Sequence, residues 1–136
     1  MKLIRKADVT RFQAPETFFT GEVWVDPVID PPSPARGGSS RVSFTPGART
    51  NWHSHPIGQT LLVLSGSGFV MWKDGPAWRI EEGDSVWIGP DEIHAHGAAP
   101  DAAMCHVAIT EHTEDAQSEF FAPVTDEEYS RPFAAD

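Results

Sequence analysis

Two His-x-His pairs constrain this sequence more than any other feature. His53 and His55 form the first pair, and His94 and His96 form the second. Side chains two residues apart on an extended strand point to the same side, so each pair places two imidazoles on one face. Imidazole is a common ligand of divalent transition metals. Because the chain has only six histidines, two such pairs predict a metal site. The alternative is four ordinary histidines of the core or surface.

Short apolar runs separated by turn residues surround both pairs. Residues 41–45 alternate between polar and apolar side chains, and residues 60–65 are strongly apolar. Residues 66–68 (Gly-Ser-Gly) are predicted to be a tight turn, after which residues 69–72 return antiparallel. Further predicted strands cover residues 77–80, 85–88, 94–98 and 102–110. Many short strands at this spacing predict an all-β fold, either a sandwich or a barrel.

The first part of the chain differs from this strand-rich region. Residues 1–40 are predicted to form an N-terminal arm, a first strand at residues 22–25 and a proline-rich loop at residues 26–40. A structureless loop of this length is unusual in a small domain. We therefore expect this part of the chain to pack on the barrel or on a partner subunit.

The barrel core with its metal site is predicted to span residues 41–124. Residues 125–136 follow as a short C-terminal helix and a tail. The helix is predicted from a capping box, in which Thr125 is the N-cap and Glu128 reaches back to it. The whole chain of 136 residues suits one structural domain.

Composition excludes several classes of partner. The net charge of −10 argues against binding to nucleic acid or to an anionic membrane surface. Cys105 is the only cysteine, so an intrachain disulfide is impossible, and we expect a buried, inert thiol. The sequence has neither a signal peptide nor an apolar run of about 18 residues. We therefore expect a cytoplasmic protein.

The first His pair lies in a motif that resembles the cupin superfamily. Gly47, His53, His55 and Gly66 hold the spacing of the first cupin motif, and Gln59 stands where that motif has a glutamate. A metal ion bound by neutral ligands alone keeps its full double charge. If the amide oxygen of Gln59 is a further ligand, we expect Lewis-acid chemistry rather than the higher oxidation states used in oxygen activation.

The second His pair extends the resemblance. Gly83 and His94 fit the second cupin motif, whereas Gly89, Asp91 and Ala98 replace its proline, glycine and asparagine. These three departures affect turn or outer positions rather than the ligand. The resemblance implies a single cupin jelly-roll β-barrel with the metal inside and assembly as a homodimer or homotetramer. The capping box adds the short C-terminal helix.

Further segments resemble the bacterial cupin hydroxynitrile lyases. They include residues 18–21, 46–50, 94–100 and 124–127. The metal of that family is typically manganese, so the resemblance implies Mn²⁺, with Fe²⁺, Ni²⁺ and Zn²⁺ as alternatives. Its metal ligands match four residues of this chain, which are His53, His55, Gln59 and His94. The resemblance also places His96 and His106 beside the metal as the catalytic histidines.

Strand parity predicts which side chains line a pocket beside these histidines. His106 shares a face with Ala108 and Thr110 on one predicted strand. The full predicted substrate pocket consists of Val42, Phe44, Thr50, Leu61, Val63, Ala108 and Thr110. Two alternatives remain open, namely that His106 is a hydrogen-bonded core histidine and that His96 has no role in proton transfer. His112 is expected at the surface.

Three functions follow from these observations, and each requires a small-molecule ligand. The first is a metal-dependent hydroxynitrile lyase, a carbon–carbon lyase that cleaves cyanohydrins such as mandelonitrile to an aldehyde and cyanide. In that reaction His106 or His96 would accept the hydroxyl proton. The second is a quercetinase-like dioxygenase or a related oxidoreductase. The third is a non-catalytic cupin that binds a small ligand.

Overall fold

Antiparallel pairing between strands that are distant in sequence organises the fold. The structure is a computed structural model and describes residues 1–135. Its strands are β1 (Phe12–Gln13), β2 (Phe19–Thr20), β3 (Val23–Ile29), β4 (Gly37–Phe44), β5 (Arg49–Thr50), β6 (His53–Ser54), β7 (Gln59–Trp72), β8 (Ala77–Glu81), β9 (Ser85–Ile88), β10 (His94–Ala98), β11 (Met104–Glu111) and β12 (Glu119–Phe120). A 3₁₀ turn (Lys6–Asp8) precedes them, and one helix, α1 (Asp126–Tyr129), follows.

The strands form two curled antiparallel layers that share β7. The first layer has the order β1-β3-β4-β11-β7-β9. The second joins β8, β7, β10, β5 and β2, and β6 and β12 extend it along part of β10. A sheet that curls on itself in this way is a jelly-roll β-barrel. The predicted all-β barrel with a short C-terminal helix is therefore confirmed.

Strand β7 is continuous where a turn was predicted. The predicted tight turn at residues 66–68 does not form, because one strand runs from Gln59 to Trp72. Gly66 has a φ of +81°, and a Cβ atom there would collide with the carbonyl oxygen of Ala103. Only glycine fits this combination of backbone angle and close approach. The glycine therefore bends β7 from one layer into the other and does not end the strand.

The predicted proline-rich loop is also much shorter than expected. Strand β3 continues through Ile29 and β4 begins at Gly37, so only residues 30–36 connect them. Pro27 lies inside β3, directly opposite Ser40, and the pairing register shifts between Pro27 and Ile29. Proline is tolerated in a strand at such irregularities because the interrupted ladder does not need its missing N–H group. The long-loop prediction was wrong for this reason.

The hydrophobic core consists of two clusters on opposite sides of the second layer. The larger cluster lies between the layers and includes Phe44, Leu61 and Met104. The smaller cluster contains Trp52, Phe69, Met71, Ala77, Ala95 and Val124, with Tyr129 packed against it. The C-terminal segment thus covers the outer face of the second layer.

The predicted capping box begins helix α1. The Thr125 hydroxyl accepts a hydrogen bond from the Glu128 backbone N–H at 3.1 Å, and the Glu128 carboxylate accepts one from the Thr125 N–H at 3.4 Å. The same carboxylate accepts bonds from Trp52 Nε1 at 2.6 Å and from Lys73 Nζ at 2.9 Å. The cap therefore also fastens the helix to the barrel. Neither helical segment within residues 1–135 has the length and apolar sequence that a membrane span requires.

Hydrogen bonds from Arg49 attach the C-terminal segment to the barrel. Arg49 is 6% exposed, and its guanidinium donates to the Val124 carbonyl oxygen at 2.9 Å and to the fully exposed Asp126 carboxylate at 2.9 Å. The guanidinium also lies 4.4 Å from the centre of the Tyr129 ring. Losing this donor would leave the Val124 carbonyl oxygen without its partner, which costs more than losing an exposed ion pair.

We expect Arg49→Ala to lower the free energy of unfolding by about 2 to 4 kcal/mol, because the buried hydrogen bond to the Val124 carbonyl oxygen contributes about 1.5 to 3 kcal/mol and the packing of the side chain is also lost. Urea unfolding followed by tryptophan fluorescence measures this change. Arg79→Ala is the matched control, since Arg79 pairs with Glu81 at an exposed site and should cost less than about 1 kcal/mol. Equal losses in the two variants would contradict the role of Arg49.

Candidate metal centre

The two His-x-His pairs meet where β6 pairs with β10, and His55 directly follows β6. His53 of β6 lies directly opposite His94 of β10, and their ring centres are 4.2 Å apart. The ring of His55 lies 5.0 Å from His53 and 5.5 Å from His94. The ring of His96 lies 5.2 Å from His53. All four side chains are buried, so the pairs predicted from strand parity form one buried imidazole cluster.

Each of three histidines has a hydrogen-bond partner at Nδ1. Nδ1 of His53 lies 2.9 Å from the carbonyl oxygen of Asn51, and Nδ1 of His94 lies 2.8 Å from that of Glu92. A carbonyl oxygen only accepts, so both rings carry the proton on Nδ1 and leave the Nε2 lone pair free. Nδ1 of His55 lies 2.6 Å from the hydroxyl of Ser118. Outer hydrogen bonds of this kind orient metal-binding histidines.

The free nitrogens point to a shared ligand. Within the described chain, Nε2 of His55, His94 and His96 is buried and has no hydrogen-bond partner. Ring nitrogens of His53, His94 and His96 all lie within 4.8 Å of one another. Two nitrogens bound to one ion at about 2.1 Å lie at most about 4.2 Å apart, so only small side-chain shifts are needed. The donor set therefore fits a divalent metal ion.

His96 is closer to the cluster than the sequence analysis anticipated. The resemblance placed it beside the metal, whereas the geometry gives it a ring nitrogen as well placed as those of His53 and His94. Its strand parity with His94 was the available signal. The predicted ligand set of His53, His55, Gln59 and His94 remains a prediction, and His96 joins it as a further candidate.

Gln59, the predicted amide ligand, begins β7 and is 5% exposed. Its amide nitrogen donates to the Thr110 hydroxyl at 3.0 Å, which orients the side chain. Its oxygen is buried and lacks a hydrogen-bond partner among residues 1–135. A buried amide oxygen without a donor is costly, so a cation is a suitable partner for it.

Burial keeps the cluster histidines neutral. It holds the pKa of His53 and His96 well below the ordinary histidine value, and the neighbouring imidazoles lower both further. Burial, followed by the effect of His94, lowers the pKa of His55 to about 4. Burial alone lowers the pKa of His106 to about 4. The neutral imidazole is the form that binds metals, so the protein supplies ligands that need no deprotonation near neutral pH.

His96 and His106 form a directly bonded pair. Nε2 of His106 lies 3.0 Å from Nδ1 of His96, and both rings are buried. One proton occupies this bond, so in the neutral pair the second proton is on either His96 Nε2 or His106 Nδ1. In both arrangements one outer nitrogen carries a free lone pair and the other carries an N–H group. The pair can therefore accept a proton at one end and donate one at the other.

The predicted pocket residues lie in three environments. Val42, Ala108 and Thr110 line a cavity of about 750 Å³, which also reaches Gln59 and the N-terminal arm. Phe44 packs its ring 5.4 Å from His106, and the Thr50 hydroxyl accepts from the His96 backbone N–H at 3.1 Å. Leu61 and Val63 are fully buried in the larger core cluster. His112, expected at the surface, is exposed at the edge of this cavity.

Two residues of the site were missed by sequence reasoning. Ser118 contacts His55, and the ring of Phe120 stacks on that of His53 at 5.1 Å. Both follow β11 in a stretch without a strand pattern or motif, and they meet the histidines only after the chain folds back. The sequence carries no local signal for such contacts.

Comparison with known proteins identifies the family. The cupin domain model matches residues 40–110, just over half of the chain. The chain belongs to the cupin family.

Several relatives of this cupin extend the likeness. The chain is 43% identical over 131 residues to (R)-mandelonitrile lyase from Granulicella tundricola. The alignment covers 96% of this chain and 100% of the lyase. A solved cupin-like protein from Thermotoga maritima MSB8 aligns with a TM-score of 0.83 and 42% identity, over 86% of this chain and 89% of that one. The polyketide cyclase RemF from Streptomyces resistomycificus aligns with a TM-score of 0.73 and 20% identity, over 95% and 90%. The last likeness supports the fold alone.

The neutral buried histidines predict a pH-dependent stability in chelator-treated protein. His106 has a pKa of about 4 when folded and about 6.5 when unfolded, so the unfolded chain binds more protons between these values. The contribution of this histidine to the free energy of unfolding is therefore fully present above about pH 6.5. As the pH is lowered from there, the free energy of unfolding decreases by up to about 1.4 kcal/mol per pH unit for each such histidine.

Urea unfolding between pH 7 and pH 5 tests this expectation. His106→Gln should give a shallower decline than the unmodified protein. Gln13→Ala is the control, because Gln13 is exposed and carries no titratable group, so its replacement should leave the slope unchanged. A pH-independent unfolding free energy across this range would contradict the prediction.

Proposed function

We propose that this cupin is a metal-dependent hydroxynitrile lyase that cleaves cyanohydrins to an aldehyde and hydrogen cyanide and also catalyses the reverse reaction. The observation that carries the proposal is the full-length likeness to (R)-mandelonitrile lyase at 43% identity. The buried cluster of His53, His94 and His96 supports it, because the cluster provides ligands for a metal ion. Carbon–carbon bond cleavage of this kind needs no change of oxidation state.

We propose four metal ligands, namely His53, His55, Gln59 and His94. His96 is left to proton transfer in this proposal, because a metal on its Nε2 would leave no bare nitrogen in its pair with His106. When bound, a divalent ion supplies Lewis-acid stabilisation of negative charge on the substrate. None of these side chains is anionic, so the protein leaves the charge of the ion undiminished. We propose Mn²⁺ as the resident ion, with Fe²⁺, Ni²⁺ and Zn²⁺ as alternatives.

The bonded pair of His96 and His106 handles the proton in this proposal. A bare imidazole nitrogen of the pair takes the hydroxyl proton of the cyanohydrin. The carbon–oxygen bond then becomes a carbonyl, and cyanide leaves with the electrons of the broken carbon–carbon bond. The imidazolium returns the proton to cyanide, so the cycle ends with neutral histidines. The hydrogen bond of 3.0 Å between the rings lets either one share the charge.

The cavity beside Gln59 is the proposed substrate site. Its volume of about 750 Å³ is within the range of pockets that hold small organic molecules. Val42 and Ala108 provide apolar lining and Thr110 a hydroxyl group. Lys2, Asp8 and Asp30 add charged groups to the same cavity. A small cyanohydrin with an aromatic or aliphatic side chain fits a site of this size and character.

We expect the protein loaded with Mn²⁺ to cleave racemic mandelonitrile above the buffer rate, measured as benzaldehyde absorbance. Chelator-treated protein should lose this activity. His96→Ala and His106→Ala should each lower kcat by about 10²- to 10⁴-fold, the usual contribution of a general acid or base. Arg79→Ala is the control, since Arg79 is exposed on β8 and does not line the cavity, and it should keep the activity of the unmodified protein.

Metal analysis of each variant separates loss of proton transfer from loss of metal. A His106→Ala protein that holds its metal and keeps full activity would remove the role proposed for His106. Oxygen uptake with a phenolic substrate would instead support the quercetinase-like alternative. Bound metal without turnover of any substrate would support the non-catalytic alternative.

We also propose that the protein assembles as a homodimer or homotetramer through the outer face of its first layer. Outward positions of such a sheet are usually polar, yet Leu62, Leu64, Trp87 and Ile109 are 38 to 62% exposed there. Thr60 lies opposite both Trp87 and Ile109, so these side chains belong to one patch. A contiguous apolar patch on a chain with a net charge of −10 favours contact with a second uncharged surface.

We expect Leu62→Lys to convert the oligomer to a monomer, because two introduced charges would face each other across the interface. Light scattering after gel filtration measures the molar mass. Trp78→Lys is the matched control, since Trp78 is 39% exposed on β8 of the other layer. The proposal is wrong if the unmodified protein is a monomer or if Leu62→Lys leaves the assembly intact.

A further inference from the structure

The chain after β11 folds back over the histidine cluster. We call residues 112–121 the returning segment. Glu119 and Phe120 pair with Ser54 and His53 as strands β12 and β6. The segment also accepts a hydrogen bond from the Asn51 amide to the Phe121 carbonyl oxygen at 3.4 Å. These contacts bring a part of the chain about 60 residues downstream onto the first His pair.

His55 depends on this segment in a way that the other ring-oriented histidines do not. The Nδ1 acceptors of His53 and His94 are backbone carbonyl oxygens two residues before each histidine. They are present whenever the local strand forms. The partner of His55 is instead the side chain of Ser118, which lies 63 residues away in the sequence.

The chemistry of the two kinds of partner also differs. A carbonyl oxygen fixes one tautomer, whereas a hydroxyl group can either accept from Nδ1–H or donate to a bare Nδ1. His55 can therefore hold its proton on Nδ1 or on Nε2 while Ser118 adapts. Only the first arrangement leaves the buried Nε2 of His55 free to bind a metal.

We propose that Ser118 is a positioning residue that holds His55 in its metal-binding orientation and thereby couples metal binding to docking of the returning segment. The inference rests on the proposed metal site, in which His55 is a ligand. It adds that His55 needs the Ser118 hydroxyl as a hydrogen-bond partner. The hydroxyl lies 2.6 Å from Nδ1, a short distance for such a bond. Ser118 itself is half-buried under the segment that carries it.

The coupling is reciprocal. If the Ser118 contact strengthens metal binding, then metal binding must strengthen docking of the returning segment by the same factor. Phe120 belongs to the same unit, because its ring stacks on His53 at an interplanar angle of 11°. The segment thus contacts both histidines of the first pair, one through a hydrogen bond and one through its aromatic face.

The first experiment measures Mn²⁺ affinity by following free Mn²⁺ in electron paramagnetic resonance. We expect Ser118→Ala to weaken binding about 10- to 100-fold, the usual effect of losing an outer partner of a metal-binding histidine. Ser118→Thr keeps the hydroxyl and should restore most of the affinity. Thr113→Ala is the matched control, because its hydroxyl bonds only Ala116 within the same segment and should change affinity less than threefold.

The outcomes separate this inference from the proposed function. If the unmodified protein binds Mn²⁺ and cleaves mandelonitrile but Ser118→Ala binds Mn²⁺ equally well, the positioning role is wrong and the lyase proposal stands. An equal loss in Thr113→Ala would assign the effect to loosening of the segment and would also overturn the role of Ser118. Failure of the unmodified protein to bind a metal overturns both proposals.

The second experiment uses only the unmodified protein, so its result does not depend on the folding of a variant. Hydrogen–deuterium exchange of peptides covering residues 112–121 should slow when Mn²⁺ is added to the unmodified protein. Peptides covering residues 77–81 on β8, away from the cluster, serve as the internal reference and should not change. If the exchange rate of the returning segment were the same with and without Mn²⁺, the coupling would be excluded.

Discussion

The hydrogen bonds behind the imidazoles are the interactions on which the site depends. Burying a histidine lowers its pKa and keeps it neutral, but a buried N–H group still needs an acceptor. In this protein the backbone carbonyl oxygens of Asn51 and Glu92 accept those protons. The free lone pair of such a ring then lies on its other nitrogen, Nε2. The Nε2 atoms of His55, His94 and His96 have no hydrogen-bond partner among the described residues. The barrel provides this arrangement because β6 and β10 pair with His53 opposite His94.

The parts of this structure that follow short-range rules were predictable from the sequence. The period of two along a strand placed His53 beside His55 and His94 beside His96. The capping box placed the N-cap of α1 at Thr125, where the structure has it. Both predictions need only backbone geometry within a few residues, so tertiary contacts did not alter them.

The failures came from residues whose meaning depends on distant neighbours. In the sequence Gly66 looks like a turn residue. In the structure it packs against the carbonyl oxygen of Ala103 and bends a long strand. Pro27 resembles a loop residue until its pairing with Ser40 is known. Ser118 is an unremarked polar residue until the chain returns to His55. None of these contacts leaves a periodic trace in the sequence.

The smaller core cluster has a consequence for synthesis of the chain. Phe69 lies on β7 and Trp52 directly before β6, and both are made before Val124 and Tyr129, which complete their cover. During translation the barrel strands are therefore available before this face can close, and the chain exposes an indole and a phenyl ring in the interval. Final burial of the cluster must wait until residues 124–129 leave the ribosome. Truncation before Val124 would consequently leave an exposed apolar surface on the barrel.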